Sequence, residues 1–124
     1  MKIKNGENFK LWIFMNIENS LPERGEIWIV NLDPTIGSEI KKSRPCIIIS
    51  SNSIGILPLR LIAPLTKWKE SFEENFWHLK IAQTDFNGLS DLSSIDTLQI
   101  RSIDIQRLVK RIGFVTKKQL EDIN

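Results

Sequence analysis

The sequence predicts a small, mainly β domain, a strongly bent sheet or partly open barrel with a short helix at its C-terminal end. Three observations carry that expectation. Apolar residues come in short runs rich in Ile and Val, and some of these runs alternate with polar residues at the strand period of two. Turn chemistry separates the runs, at Arg24-Gly25, Asp33-Pro34 and Asn87-Gly88. A capping-box pattern near the end, from Thr116, marks the start of a short helix. At 124 residues the chain is one domain, able to bury one core and not two.

In chain order, residues 1–21 differ from the rest and form an N-terminal extension, with the domain proper at 22–124. Phe9 to Ile17 is apolar but interrupted by Lys10 and Asn16, too short to span a membrane and unlike a signal peptide. It reads either as a flanking segment packed on the domain or as an upstream extension with the start at Met15. Glu26 to Leu32 is a first strand. Asp33 to Ser38 is a loop, and 39–43 an exposed connector. Cys46 to Ile49 is a strand buried on both faces, with Pro45 at its first position because proline has no amide to donate. Leu59 to Leu65 is the next strand, and Pro64 limits how far it can be an interior one. Lys67 to Glu74 is a charged loop or helical turn. Phe76 to Ile81 alternates cleanly, with Trp77, Leu79 and Ile81 on one face and Phe76, His78 and Lys80 on the other. Ile95 to Arg101 reads as one strand, Ser102 to Leu108 as a helical turn, and Lys110 to Val115 as the last strand. Thr116 and Gln119 then cap a short helix with Leu120 and Ile123 on its apolar side.

Composition excludes several classes. One Cys and one His leave too few ligands for a zinc site or a disulfide framework, so no metal and no cofactor are expected, and a reducing cytoplasm is the natural compartment. A net charge of +2 permits nucleic-acid binding without arguing for it. Local chemistry says more. Pro45 holds Arg44 in extended geometry at the mouth of a rigid strand, a fixed cation suited to an anionic ligand. Period-two geometry along 95–101 places Gln99 and Arg101 on one face and Asp96 on the other. Trp28, Trp68 and Trp77 could stack on bases; Trp28 reads as core, and Trp68, in a charged loop, is the better candidate. Cys46 is a small buried hydrophobe, and His78 a half-exposed strand residue.

These residues carry a resemblance. Arg24-Gly25-Glu26-Ile27-Trp28, the run Asn31 to Glu39, Ser43-Arg44-Pro45, Ala63-Pro64-Leu65-Thr66 and the run Gln99 to Asp104 resemble, in order and spacing, the MazF/PemK family of toxin endoribonucleases. The likeness covers about residues 22 to 123. It implies an SH3-like or CcdB/PemK-type barrel, a homodimer, and sequence-specific, metal-independent cleavage of single-stranded RNA. It also implies a cognate MazE-like antitoxin whose flexible segment occupies the RNA groove, with DNA contacted only through the antitoxin complex, and no membrane.

The chemistry such a reaction needs fits the residues. Internal attack by the 2′-hydroxyl requires a base near it, an acid near the leaving 5′-oxygen, and positive charge at the phosphate. Arg44 matches the arginine of the family's Arg-Pro motif and supplies the charge through a planar fork of donors. Thr66 matches the polar residue after the Ala-Pro block and is assigned hydrogen bonding to the phosphate or the 2′-hydroxyl. Glu39 is a candidate base or orienting carboxylate. Gln99, Arg101, Ser38, Lys42, Lys67 and Trp68 are expected to contact RNA. One departure matters: where several family members carry a carboxylate just before this Gln, the chain has Leu98. Two other readings keep the fold: a CcdB-like topoisomerase-binding toxin without nuclease activity, and a degraded toxin that binds antitoxin but cleaves poorly.

Overall fold

The structure is a computed structural model that describes residues 21–54 and 56–123. The expected N-terminal extension therefore lies outside the described residues, apart from Leu21. Seven strands form one antiparallel sheet: β1 (Glu26–Asn31), β2 (Ser43–Ile48), β3 (Leu59–Lys67), β4 (His78–Ile81), β5 (Ser93–Asp96), β6 (Arg101–Asp104) and β7 (Leu108–Phe114). The strand order is β4-β5-β3-β2-β1-β7, with β6 paired to β3, so the sheet is not closed into a barrel. Helix α1 (Lys117–Ile123) follows.

Gly25 opens β1 because the turn needs φ +91°, a region glycine enters without steric cost. The run 46–49 is buried on both faces as its composition predicts. Cys46 and Ile48 join Val30, Leu32, Ile62 and Ile103 on one side, while Ile47 joins Ile27, Ala63, Leu65, Ile81 and Ile95 on the other. Leu120 and Ile123 of α1 pack against that second cluster. The capping box forms in full: the Gln119 amide donates to Thr116 Oγ1 at 3.1 Å, and the Thr116 amide to Gln119 Oε1 at 3.0 Å.

β3 is the strand everything else is hung on. Ile62 is paired with Ile48 of β2 and with Arg101 of β6, so those partners flank β3 on opposite sides. From Leu65 onward β5 replaces β6. Pro64 sits inside this central strand, contrary to the limit its chemistry suggests, and the geometry says why it is tolerated. The Leu61 amide turns toward β2's side, to Ser50 Oγ at 3.2 Å, and the Trp68 amide toward β5's side, to Leu92 O at 2.9 Å. By alternation the amide missing at Pro64 faces the β5/β6 edge. It falls where β6 has ended and β5 has not begun.

The run 95–101 is not one strand. Asp96 accepts a hydrogen bond from the Leu98 amide at 3.1 Å and caps a 3-10 turn, Thr97–Gln99, which separates β5 from β6. A second aspartate does the same after β6, where Asp104 caps the turn Ile105–Arg107. The expected strand at 76–81 begins two residues later, at His78.

Candidate functional site

A cleft of about 570 Å³ opens between the β1–β2 loop and the segments around β4's start and the β5–β6 turn. Ser38, Glu39, Gln99 and Arg101 line it, together with Trp77, His78, Asp96, Leu98 and Pro64. Arg44, Thr66, Lys42, Lys67 and Trp68 are not in its lining.

The loop wall is held in shape from several directions. Arg107 donates from Nη1 to the carbonyls of Asn31 at 3.2 Å and Asp33 at 2.6 Å, and Arg101 to that of Leu32 at 3.4 Å. Lys42 adopts φ +67°, uncommon for a residue with a side chain, and its amide is fixed on Asp33 Oδ1 at 3.1 Å. Glu39 commits Oε1 to the Ile36 amide at 2.6 Å, so this carboxylate organises the loop that it lines.

Gln99 bridges the two walls. Its Oε1 accepts from the Ile40 amide at 2.7 Å, and its Nε2 donates to Asp96 Oδ2 at 3.3 Å. Strict alternation puts Asp96 opposite Gln99, but the 3-10 turn folds the two together and makes Asp96, nearly fully buried, the anchor of the glutamine. Aspartate followed by Thr-Leu-Gln is a turn-capping signal, and it marks the place where period two fails.

Arg44 and Thr66 belong to the adjacent strands β2 and β3, each just past the end of their shared ladder. The β2–β3 ladder ends at Cys46 opposite Pro64, and extending that register by two residues sets Arg44 opposite Thr66. Alternation keeps both on the face of Pro64, which lines the cleft. Arg44 is half-buried, with Nε donating to Lys41 O at 3.2 Å. Thr66 Oγ1 is buried and has no hydrogen-bond partner among the described residues, an unusual condition for a buried hydroxyl. The buried Cys46 thiol is pushed up to about 12 by loss of solvent, with Arg101 and then Arg44 pulling it partly back. Both guanidinium groups thus lie within electrostatic reach of one sulfur.

Beyond Thr66 the polar row continues. Thr66 pairs with Ser94 on β5, and Ser94 Oγ lies 2.9 Å from His78 Nδ1. The imidazole stacks on Phe72 with centroids 3.7 Å apart and planes 9° apart. Trp68, the stacking candidate, is already occupied: Lys80 Nζ sits 4.6 Å from its ring centroid and Phe72 meets it edge-on. Trp77 and His78 line the cleft instead, and the sequence signal for them is the aromatic dipeptide at the start of an alternating strand. Among the described residues no three His, Cys, Asp or Glu side chains group as a metal site, and no helix is long and apolar enough to cross a membrane.

Fold and cleft define a class, a small antiparallel β domain whose strand mouths and loops present arginines and amides to a surface groove. Residues 23–124 match the family described as PemK-like, MazF-like toxin of type II toxin–antitoxin system, and the chain belongs to that family. Endoribonuclease MazF9 of Mycobacterium tuberculosis is 30% identical over 107 residues, which cover 82% of this chain and 88% of that protein. MazF of Deinococcus radiodurans has the same fold at TM-score 0.70 and 18% identity, covering 85% of this chain and 91% of the other. An endoribonuclease in complex with its cognate antitoxin from a mycobacterial species superposes at TM-score 0.65 and 18% identity, over 83% and 87%.

Proposed function

We propose that this chain is the toxin of a type II pair and cleaves single-stranded RNA, without a metal, at the ground between Arg44, Thr66 and the adjoining cleft. The observation that carries the reading is the Thr66 hydroxyl, buried and without a hydrogen-bond partner among the described residues, at the level where the β2–β3 register, extended two residues past its last pair, brings Arg44. A phosphate oxygen or a 2′-hydroxyl would complete the hydrogen bonding of Thr66. Family membership and the MazF9 likeness support the same activity.

In this reading O2′ attacks phosphorus and the bond to O5′ breaks. A proton leaves the 2′-hydroxyl, one reaches O5′, and the products are a 2′,3′-cyclic phosphate and a 5′-hydroxyl. Arg44 neutralises the extra charge on the non-bridging oxygens, and Thr66 orients the reacting group. Glu39 keeps the loop in shape, while Gln99 and Arg101 meet the RNA across the cleft. Leu98 offers no proton, so no step passes through it. The natural occupant of the groove in the resting pair is a segment of the cognate antitoxin, in keeping with the mycobacterial complex. The active toxin is a homodimer working in the cytoplasm on mRNA.

The test is incubation of labelled single-stranded RNA in EDTA with the wild type and Arg44→Ala. Cleavage by the wild type, leaving cyclic phosphate and 5′-hydroxyl ends, and a loss of about a hundred- to a thousandfold in the variant are expected. Equal rates for the two proteins would remove Arg44 from the mechanism. No cleavage by a folded wild type would transfer the reading to a binding toxin.

A further inference from the structure

We infer that Phe76 and Trp77 form a stacking platform for a nucleobase at the mouth of the cleft, next to the phosphate-handling residues. The inference rests on the nuclease reading above and adds to it the residues that grip the RNA beside the cut. Five rings run in series through the β3–β4 connection. Trp68 meets Phe72 edge-on at 5.5 Å, Phe72 stacks on His78 at 3.7 Å, Trp77 lies 6.0 Å from His78, and Phe76 meets Trp77 edge-on at 5.4 Å. Three of the five are used up by packing: Phe72 and His78 cover each other, and Lys80 covers Trp68. The outer end is not, since Phe76 is 89% exposed, immediately beside two residues that line the cleft. The fold gains nothing from an aromatic ring left in water there.

The cleft and its surroundings offer a single strand of RNA both cations and rings. Beside the cleft the β1–β2 connection carries Lys41 and Lys42, both exposed, and β2 begins with the half-buried Arg44, while Arg101 lines the cleft from β6. Trp77 and Phe76 supply the rings. The turn Glu70–Glu74 in the same connection has three carboxylates, of which Glu73 is paired with Lys80 at 2.7 Å. In this inference the phosphates lie toward Arg44 and Arg101, and the bases turn toward Trp77 and Phe76. Stacking on an exposed ring is tolerant of sequence, because every base presents a π-face. The platform thus contributes affinity, while hydrogen-bonding groups such as Gln99 are left to discriminate between bases.

The probe is a fluorescent single-stranded RNA of about ten nucleotides with methylated 2′-hydroxyls, which can bind but cannot be cut, titrated against the full chain. Phe76→Ala should raise Kd by about 5- to 100-fold, Phe76→Leu should do the same, and Phe76→Trp should bind as the wild type does. An unchanged Kd in Phe76→Ala, or Leu serving as well as Phe, overturns the platform. So does an unchanged Kd accompanied by a change in sedimentation, which would assign Phe76 to contact between copies. Cleavage of ordinary RNA by the wild type is measured alongside. A wild type that cuts while Phe76→Ala binds normally sinks the platform alone, and one that neither binds nor cuts sinks both readings.

Discussion

Cys46 sets an alkaline limit on the fold. Its thiol lies in the cluster beneath Arg44 and Arg101, and burial raises it from 9.0 to about 12. Below pH 9 the thiol is protonated in both folded and unfolded chains and costs nothing. Between the two values the unfolded chain loses a proton that the folded chain keeps, so stability falls as pH rises, by about 1.4 kcal/mol per pH unit. Denaturant titrations at pH 8 and pH 10 should show this loss in the wild type, and Cys46→Ala, less stable at pH 8, should show less of it. Equal slopes would mean that the thiol is already solvated. The burial of Cys46 was readable from its place in an Ile run. The pull of two guanidinium groups on it was not, because Arg44 and Arg101 are 57 residues apart in sequence and belong to β2 and β6, which flank β3.

Among the elements, local chemistry was legible and partnership was not. The capping box at Thr116 is written in four consecutive residues and forms as written; Thr116→Ala should cost about 1 kcal/mol in the denaturation midpoint. The β5–β6 run shows the opposite case. Alternation over 95–101 suggests one strand, but the Asp96 carboxylate competes for the backbone two residues on and wins, since it also gains Gln99. The site inherits that outcome: with the strand broken, Gln99 reaches Ile40 and joins the cleft's walls. Asp96→Ala should therefore weaken RNA binding more than a surface change would, and Asp96→Asn, which can still accept from Leu98, should keep most of it. The glycine in β7 carries a demand that only the folded structure discloses. A Cβ at Gly113 would lie 2.3 Å from Phe86 O and 2.4 Å from the Asn87 carbonyl carbon, both backbone atoms with no room to yield. Gly113→Ala should cost about 1–3 kcal/mol or more, well beyond the capping change, and chemical denaturation of the two variants side by side decides it.

For the whole molecule, the mainly β class and the open sheet follow from short strands, turn residues and one late helix, all of them visible along the chain. The sheet order could not be read this way. Nothing local says that β3 serves β2 on one edge and both β5 and β6 on the other, or that this arrangement gives Pro64 a harmless place. The placing of Arg44 and Thr66 on adjacent strands depends on the same order, so the two residues could be nominated by resemblance but not located. Sedimentation at the mass of two chains is expected for the active toxin, and a monomer that cuts RNA at full rate would contradict it.

The pairing of β1 with β7 has a consequence for how such a protein is made. The first strand donates its outer edge to the last, the Val115 amide returns to the Gly25 carbonyl at 2.8 Å, and α1 closes over the cluster that Ile27 begins. While a ribosome is still translating, the sequence through residue 107 leaves β1 with one bare edge and its core uncovered. Prematurely released fragments would share that defect and be open to proteases. The sheet is thus sealed only after residues 108–123 have been made, because β7 and α1 are what cover that edge and that core.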